Sequence, residues 1–396
     1  MEFKKYTVEE LVKLGMLEKP IDGNHGEKHP ISKDYVPKGI PFIMISDINN
    51  GKINYNTCKF ISTSTRDGLD KGFSKPGDIL LSHKATIGIT TIVGDEFDEI
   101  VLTPQLTYYR VKKDIDNRYL KYYFDSEYFQ KILKSWATAG STRAYLGITA
   151  QLKLPILLPD CKSQNKIAKI LNELDKKIDL NNQINDNLIK LLDTIFYNWI
   201  ENLEEYEKSN LNEIANYTNG LAMQNFRPED NAKSLPVIKI KEMNYGISND
   251  TERCSCNIKE NVKIDNGDVL FAWSGTLCMC IWGKGKAGLN QHIFKITSEK
   301  YPKWFYYLWT KRHLNKFIQI AHGKATTMGH IKREELSLAE VLIPKKMVLE
   351  KMDNIMSPLL NQYINNLVEN ENLKEIRDTL LPKLINGELD LDKIEI

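Results

Sequence analysis

Several features that would place the chain among membrane or secreted proteins are absent from its 396 residues. No apolar run reaches the roughly 18 residues that a membrane span needs. The first residues, MEFKKYTVEELVKLGML, are charged throughout and lack the apolar core of a signal peptide. Six cysteines are too few to frame a chain of this length with disulfides, so we expect reduced thiols. The sequence therefore predicts a cytoplasmic globular protein.

Motifs for common nucleotide and hydrolytic chemistry are also absent. The chain has no G-x-x-x-x-G-K-[ST] loop for ATP and no H-E-x-x-H or G-x-S-x-G motif. We find no G-x-G-x-x-G that follows a strand, and we interpret the glycine- and lysine-rich stretch Gly283–Gly288 as a basic hairpin. The Asn/Asp-Pro-Pro-Tyr/Phe tetrapeptide of amino-methyltransferases is missing too. We therefore expect neither catalytic residues nor a cofactor in this chain.

Four cysteines in the second half form the one pattern that could ligate a metal. Cys254 and Cys256, with Cys278 and Cys280, supply two C-x-C pairs, whereas structural zinc sites usually use C-x2-C pairs. Residues two apart in a strand lie on one face, so Cys278 and Cys280 also suit a small apolar core. We expect no metal site, but the sequence alone leaves the zinc alternative open.

The chain repeats itself, most clearly in two long heptad segments. Residues 163–200 and 350–385 match without a gap at an offset of 185. Their seam positions are mostly apolar, but the middle of each copy carries two asparagines, which are Asn181, Asn185, Asn366 and Asn370. This pattern predicts a coiled coil in which the polar residues fix the register. We expect the asparagines to face one another in an antiparallel pair, with two unrelated amphipathic helices as the alternative.

A globular stretch precedes each heptad segment, and the two stretches repeat more weakly. The matching pairs are Ile40–Ile45 with Leu235–Ile240, Gly77–Leu80 with Gly267–Leu270, Gln105 with Gln291, Tyr119–Phe124 with Trp304–Trp309, and Gly140–Gly147 with Gly323–Gly329. Short β-branched runs bounded by Gly, Asp and Asn predict mostly antiparallel strands. The fold class is therefore α+β, with two repeated α/β domains that are each followed by a long helix, and the two helices pair as an antiparallel coiled coil.

Net charge separates along the domain boundaries that this repeat predicts. The four segments are 1–160, 161–207, 208–345 and 346–396, and their net charges are +2, −3, +7 and −4. Lysine and arginine attract nucleic acid through its phosphates, and counterion release supplies much of the affinity. Basic lobes with acidic helices therefore favour a protein whose lobes contact DNA and whose helices contact protein.

Two local motifs then identify a family. The first runs from Leu157-Leu158-Pro159 through Gln164–Leu171 to Leu174–Ile178, and the second is NLKEIRDTLLPKLINGEL at residues 372–389. With the lobe–helix–lobe–helix repeat, they make the whole chain resemble the specificity subunit of a type I restriction–modification system. The second helix departs from the glutamine-led start of the first, because it has Glu350-Lys351-Met352 there.

The resemblance implies a division of labour between this chain and partner subunits. Each lobe would be a target-recognition domain that reads one half of a bipartite DNA target. The helices would set the separation of the lobes and bind two methyltransferase subunits, and two ATP-dependent restriction subunits would complete the assembly. AdoMet, ATP and Mg would belong to those partners, and this subunit would have no catalytic activity.

Candidate DNA-binding residues lie in the paired hairpins and glycine-bounded loops. Arginine suits guanine, and asparagine or glutamine suits adenine, at base edges. In the first lobe the candidates are His83, Lys84, Thr86, Gln105, Ser141, Thr142, Arg143 and Tyr145. In the second they are Trp273, Ser274, Thr276, Gln291, Lys324, Thr326 and Thr327. The alternative for each is an ordinary turn residue, because Gly, Ser and Thr favour turns.

Three other functions compete with this interpretation. A solitary recognition subunit would have the same sequence features, because its partners lie in other chains. A coiled-coil scaffold whose lobes bind protein would show no salt-dependent affinity for DNA. A self-contained DNA-modifying enzyme is disfavoured by the missing motifs, and binding of AdoMet to the isolated chain would revive it.

Overall fold

The computed structural model describes residues 2–49, 51–138, 144–229, 233–323 and 329–391. The chain forms two compact units. Unit 1 comprises Met1–Asp175 with Glu375–Ile396, and unit 2 comprises Lys176–Lys374. Each unit therefore combines one globular lobe with part of both long helices. Within the described ranges, no helix has the length and apolar character needed to cross a membrane.

Lobe 1, the globular part of unit 1, is built from short strands and helices. Its described strands, β1–β13, are Lys4–Thr7, Ile21–Asp22, Tyr35–Val36, Ile40–Ile43, Ile48–Asn49, Lys52–Ile53, Lys59–Ile61, Phe73–Ser74, Ile79–Ser82, Thr90–Ile92, Ile100–Leu102, Leu106–Tyr109 and Pro155–Leu158. Its described helices, α1–α5, are Val8–Lys13, Thr63–Asp67, Asn117–Asp125, Glu127–Thr138 and Ile148–Gln151. An antiparallel sheet has the order β10-β9-β12-β2, and a mixed sheet has the order β3-β7-β4-β11-β8.

The first long helix, α6, spans Cys161–Glu201, and lobe 2, the globular part of unit 2, follows it. The described strands of lobe 2, β14–β23, are Tyr206–Asn210, Asn216–Asn219, Ser234–Ile238, Arg253–Ser255, Lys263–Ile264, Val269–Ala272, Cys278–Ile281, Ala287–Leu289, Ile293–Thr297 and Glu340–Pro344. Its described helices, α7–α10, are Leu211–Ile214, Ile240–Tyr245, Lys303–Gly323 and Arg333–Ser337, and the second long helix, α11, is Lys346–Ile385. The sheets have the orders β15-β22-β19-β20 and β17-β16-β21-β18.

The strand pairing confirms an α+β fold with mostly antiparallel strands. Each lobe adds one parallel pair that the sequence did not predict, β4 with β11 and β16 with β21. In each lobe a strand near the start of the lobe, β1 or β14, also pairs antiparallel with the last strand before a long helix, β13 or β23. The chain therefore closes each lobe at the point where a long helix begins.

An aromatic helix fixes lobe 1 to this closing strand. Asp116 caps α3 by accepting the backbone N–H of Tyr119 at 3.1 Å. The hydroxyls of Tyr119 and Tyr123 donate to the carbonyl oxygens of Leu157 and Pro155 at 2.7 and 2.8 Å. Buried hydroxyls need such partners, so α3 has one favourable position against β13.

A close backbone approach recurs in both lobes. A Cβ atom on Gly23 would lie 2.0 Å from the carbonyl oxygen of Thr103, and one on Gly220 would lie 2.2 Å from that of Asn290. Glycine is required at both places because any side chain would collide with backbone. This shared contact shows that the weak sequence repeat reflects a repeated architecture.

In unit 1, the beginning of α6 and the end of α11 share one apolar core. Ile167 and Leu384 are both fully buried in it. Arg377 departs from the apolar pattern of the heptad seam. Its guanidinium donates to Asp175 Oδ1 at 2.9 Å, and Tyr122 Oη donates to the other carboxylate oxygen at 2.6 Å. The charge therefore has a partner on the facing helix.

In unit 2, the two long helices pair through buried asparagines. Asn181 Nδ2 donates to Asn370 Oδ1 at 3.0 Å, and Asn366 Nδ2 donates to Asn185 Oδ1 at 2.9 Å. All four side chains are buried. Because ascending positions on α6 meet descending positions on α11, the pairing is antiparallel.

Candidate nucleic-acid interface

Equivalent hairpins carry the predicted DNA-binding residues in the two lobes. Hairpin 1 consists of residues 83–89, which join β9 to β10, and hairpin 2 consists of residues 273–277, which join β19 to β20. At the tips, Ala85 has φ of +65° and Gly275 has φ of +75°. Both tips therefore turn through the left-handed region that favours glycine. Lobe 1 accepts the strain of an alanine there.

Residues 144–146, which we name return segment 1, lie beside hairpin 1. The backbone N–H of Leu146 donates to the carbonyl of His83 at 2.9 Å. Lys84 and Tyr145 face each other in an antiparallel bridge. The fold thus brings together two candidates, Lys84 and Tyr145, that are far apart in the sequence.

Return segment 2, residues 329–331, holds hairpin 2 in the same way. The backbone N–H of Ile331 donates to the carbonyl of Trp273 at 3.1 Å, and Ser274 faces His330 in an antiparallel bridge. His330 therefore takes the place that Tyr145 has in lobe 1.

Backbone hydrogen bonds also correct one match between the lobes. The N–H of His83 donates to the carbonyl of Gln105 at 3.0 Å, and that of Trp273 donates to the carbonyl of His292 at 3.2 Å. The equivalent of Gln105 is consequently His292, one residue beyond the predicted Gln291. Both His292 and His330 are exposed, and neither is among the candidates taken from the paired hairpins and loops.

Solvent exposure separates the candidate residues into two groups. Lys84, Thr86, Tyr145 and Thr276 are exposed, and Gln105, Gln291 and Trp273 are partly buried. His83 and Ser274 are only 1% and 8% exposed. Their burial favours a supporting role for both over the predicted direct contact with DNA. Ser141, Thr142, Arg143, Lys324, Thr326 and Thr327 lie outside the described residues.

A neutral histidine lies under hairpin 1. Burial lowers the pKa of His83 to about 4, because the charged imidazolium would lose its hydration. The carboxylate of Asp22 opposes this shift, whereas the ammonium groups of Lys84 and Lys71 add to it. Thr107 Oγ1 lies 2.7 Å from His83 Nδ1. At neutral pH the ring therefore supports the hairpin without a charge.

An aromatic stack lies under hairpin 2 instead. Trp273 stacks on Phe294 with ring centroids 5.6 Å apart and an interplanar angle of 29°. The Arg333 guanidinium lies over the Phe294 ring and donates to the carbonyl of Tyr217 at 2.9 Å. The two hairpins share a backbone frame but have chemically different supports.

The cysteines of lobe 2 lie in apolar surroundings. Cys254 is fully buried in an apolar cluster, and Cys278 and Cys280 lie on β20 against another. Burial raises the pKa of Cys280 to about 12, which disfavours the thiolate that zinc requires. In the described ranges, no three His, Cys, Asp or Glu side chains are grouped so that they could hold a metal ion.

The glycine-rich stretch of lobe 2 requires one correction. Gly283–Gly288 has the G-x-G-x-x-G spacing and follows strand β20, contrary to our expectation that no such motif follows a strand. It leads into strand β21, however, and a dinucleotide site needs a helix whose N-terminus receives the pyrophosphate. The stretch is a β-connection.

Comparison with known proteins decides the family. A sequence model described as the type I restriction modification DNA specificity domain matches the chain twice, over residues 2–190 and 203–377. The chain belongs to the type I restriction–modification DNA specificity family. As a specificity subunit of such a system, it has two target-recognition domains.

Two relatives and one solved structure resemble this chain over nearly its whole length. The MjaIX specificity subunit of Methanocaldococcus jannaschii is 26% identical and covers 91% of this chain and 89% of its own. The HindI specificity subunit of Haemophilus influenzae is 22% identical, with coverages of 88% and 94%. The crystal structure of the S subunit from M. genitalium shares the fold, with a TM-score of 0.54, 16% identity and coverages of 97% and 96%.

Proposed function

We propose that this specificity subunit reads a bipartite DNA target, one half with each hairpin and return segment, and catalyses no reaction itself. The observation that carries the proposal is a shared backbone frame with different exposed side chains. Lobe 1 presents Lys84, Thr86 and Tyr145, whereas lobe 2 presents Thr276 and His330. Because side chains read base edges, the same frame with different donors and acceptors suits two different half-sites.

The exposed groups suit duplex DNA in their chemistry. The ammonium of Lys84 can donate to guanine O6 and N7 or to a phosphate, and threonine hydroxyls can donate or accept. Tyr145 is 51% exposed, so both its hydroxyl and part of its ring are accessible. The net charge of +7 over residues 208–345 adds attraction for phosphates.

The long helices carry matching apolar positions that support docking of two methyltransferase subunits. Leu191 is 44% exposed, and its counterpart 185 residues later, Ile376, is 48% exposed. Ile170 is partly exposed, and its counterpart Ile355 is 48% exposed. All four lie at the same heptad position beside the seam, where an apolar side chain gains by being covered. Two equivalent sets favour two copies of one partner.

The functional division that we propose follows four segments. Residues 1–160 and 208–345 read DNA, and residues 161–207 and 346–396 hold the two readers and dock the partners. Two ATP-dependent restriction subunits would complete the assembly. AdoMet, ATP and Mg would act on the partner subunits.

Methylation mapping tests the recognition role. The chain is expressed with a type I methyltransferase subunit, and methylated sites in the host DNA are sequenced for the wild type, Lys84→Ala, Thr276→Ala and the control Lys113→Ala. We expect a motif of two short half-sites around a fixed spacer, altered in one half by Lys84→Ala and in the other by Thr276→Ala. The control removes an exposed lysine outside the hairpins and should change nothing. Methylation that persists without this chain would refute the role.

Binding experiments test the docking and non-catalytic roles. Leu191→Glu and Ile376→Glu should each weaken co-purification of the methyltransferase subunit, because each places a charge at an apolar contact. Gln183→Glu adds the same charge at an exposed position of α6 away from that heptad position, and should have no effect. Equal loss with all three variants would contradict the docking surface. Calorimetric titration of the isolated chain with AdoMet should show no binding, and saturable binding would contradict a non-catalytic subunit.

A further inference from the structure

Beneath hairpin 1, four polar side chains form one buried hydrogen-bonded series. Tyr109, Gln151 and Thr107 are fully buried, and His83 is 1% exposed. Tyr109 Oη donates to Gln151 Oε1 at 2.8 Å, and Gln151 Nε2 donates to Thr107 Oγ1 at 3.1 Å. The series ends at His83 Nδ1, 2.7 Å from the threonine hydroxyl.

The carbonyl of Leu146 sets the direction of these bonds. A carbonyl can only accept, so the amide group that faces it at 2.8 Å is Gln151 Nε2, and Gln151 Oε1 faces the tyrosine. Thr107 Oγ1 accepts from Gln151, and its own hydrogen then points to His83 Nδ1. With the Thr107 hydroxyl as the donor to Nδ1, the proton of the neutral imidazole lies on Nε2.

The series joins every backbone segment of the lobe 1 interface. Thr107 lies on β12, and Gln151 bonds to return segment 1 through the Leu146 carbonyl. His83 begins hairpin 1, and its ring lies 5.8 Å from that of Tyr145. Lys84 follows His83 directly in the chain, so a tilt of His83 would displace both Lys84 and Tyr145.

Lobe 2 has no hydrogen-bonded counterpart at these positions. The backbone equivalents of His83, Thr107, Tyr109 and Gln151 are Trp273, Phe294, Ile296 and Leu336. All four side chains are apolar or aromatic, and Phe294, Ile296 and Leu336 are buried. At these four positions side-chain packing rather than side-chain hydrogen bonding supports hairpin 2, so lobe 2 is an internal control for any effect of this series.

We propose that Thr107 and Gln151 are positioning residues for half-site recognition by lobe 1. They hold His83, and through it Lys84 and Tyr145, in the orientation that discriminates one half-site. Recognition by lobe 2 is independent of them. The inference rests on the proposed function, since it assumes that hairpin 1 reads DNA.

A pair of substitutions at Thr107 tests this role. Thr107→Val keeps the shape of the side chain but removes the hydroxyl, whereas Thr107→Ser keeps the hydroxyl and removes a methyl group. The full chain is assembled with its methyltransferase subunit, and its affinity is measured for the mapped target and for duplexes with one base pair changed in either half-site. The readout is the affinity ratio between the target and each altered duplex. Thermal unfolding of all variants is recorded in parallel.

We expect Thr107→Val to lower the affinity ratio about tenfold at the half-site that Lys84→Ala alters. A change of about tenfold corresponds to the loss of one good base contact. Discrimination at the other half-site should stay at the wild-type ratio. Thr107→Ser should keep wild-type ratios at both, although it also loses stability. Gln151→Met, which retains length but removes the hydrogen bonds, should reproduce the valine result.

Two results would overturn the positioning role. One is wild-type discrimination in Thr107→Val and Gln151→Met, and the other is an equal loss at both half-sites. A wild-type complex that discriminates at neither half-site would instead refute the proposed function itself. The two failures are therefore distinguishable, because one shows in the variants and the other in the wild type.

Discussion

The pairing of Asn185 with Asn366 should show a large energetic coupling between the two long helices. The perturbation is a double-mutant cycle with Asn185→Leu, Asn366→Leu and the double variant. In the wild type, Asn366 Nδ2 donates to Asn185 Oδ1 at 2.9 Å, and the two side chains are only 3% and 5% exposed. Each single variant removes this bond from one buried atom, although Asn185 keeps its bond to the Tyr363 carbonyl and Asn366 keeps the one from Gln362.

The magnitude follows from the burial of these amides. A buried polar group that loses its partner costs about 1–3 kcal/mol. Each single variant carries one such penalty, and the double variant carries none. The gain from burying each leucine separately cancels in the cycle, whereas the contact between the two leucines exists only in the double variant and adds to the coupling. We expect a coupling of about 2 kcal/mol or more in favour of the double variant.

Urea denaturation at constant pH measures the four free energies of unfolding. The slope of the unfolding free energy against urea concentration must be the same for all four proteins, because only then does a change in midpoint report a change in stability. Gln183→Leu provides a control, because its side chain is exposed on the same helix. Combining Gln183→Leu with Asn366→Leu should give additive effects. Additivity within about 0.5 kcal/mol for Asn185 with Asn366 would refute the reasoning.

Two further predictions concern lobe 1. The pKa of His83 is about 4 in the folded protein and about 6.5 in the unfolded chain. The neutral ring therefore contributes its full stability above about pH 6.5, and this contribution is lost as the pH falls from there towards 4. The full loss of unfolding free energy is about 3 kcal/mol. His83→Asn should therefore make the urea midpoint depend less on pH in this acidic range. An unchanged pH dependence in this variant would contradict a buried neutral ring. Gly23→Ala should destabilise by at least about 2 kcal/mol in thermal unfolding, because its methyl group would lie 2.0 Å from the Thr103 carbonyl oxygen. Gly323→Ala should be nearly neutral, because among the described residues no atom outside its own helix turn lies within 4 Å of the added methyl group. Equal effects of the two variants would argue against a steric cause.

The long helices could be predicted because their signal is local and repeated. A seam spacing of four and three residues recurs over ten positions in each copy, and matched asparagines interrupt both. Arg377 escaped this reasoning, because its partner Asp175 lies on the other helix, 202 residues earlier. The parallel strand pairs could not be predicted either. Strands of three to five residues carry too little alternation to indicate their neighbours.

The candidate interface was predictable as a surface but not in its details. Glycines at the ends of two loops suggested that Gly147 matches Gly329, whereas the hydrogen bonds show that Gly329 occupies the place of Ala144. Gly147 and Gly329 therefore occupy different places in the fold, and aligning them in the sequence put the two loops out of register. The burial of His83 was invisible as well, since Thr107 and Gln151 lie 24 and 68 residues away along the chain.

The backbone frame of the hairpins bears on how such a protein can acquire a new target. Main-chain hydrogen bonds, such as Leu146 N to the His83 carbonyl and Ile331 N to the Trp273 carbonyl, hold both frames without using the exposed side chains. Exposed positions such as Lys84 and Thr276 take no part in those bonds. Substitutions there leave the fold nearly unchanged, because exposed side chains contribute little to stability. With the hairpins as the DNA readers that we propose, substitutions can change the target one residue at a time while every intermediate still folds.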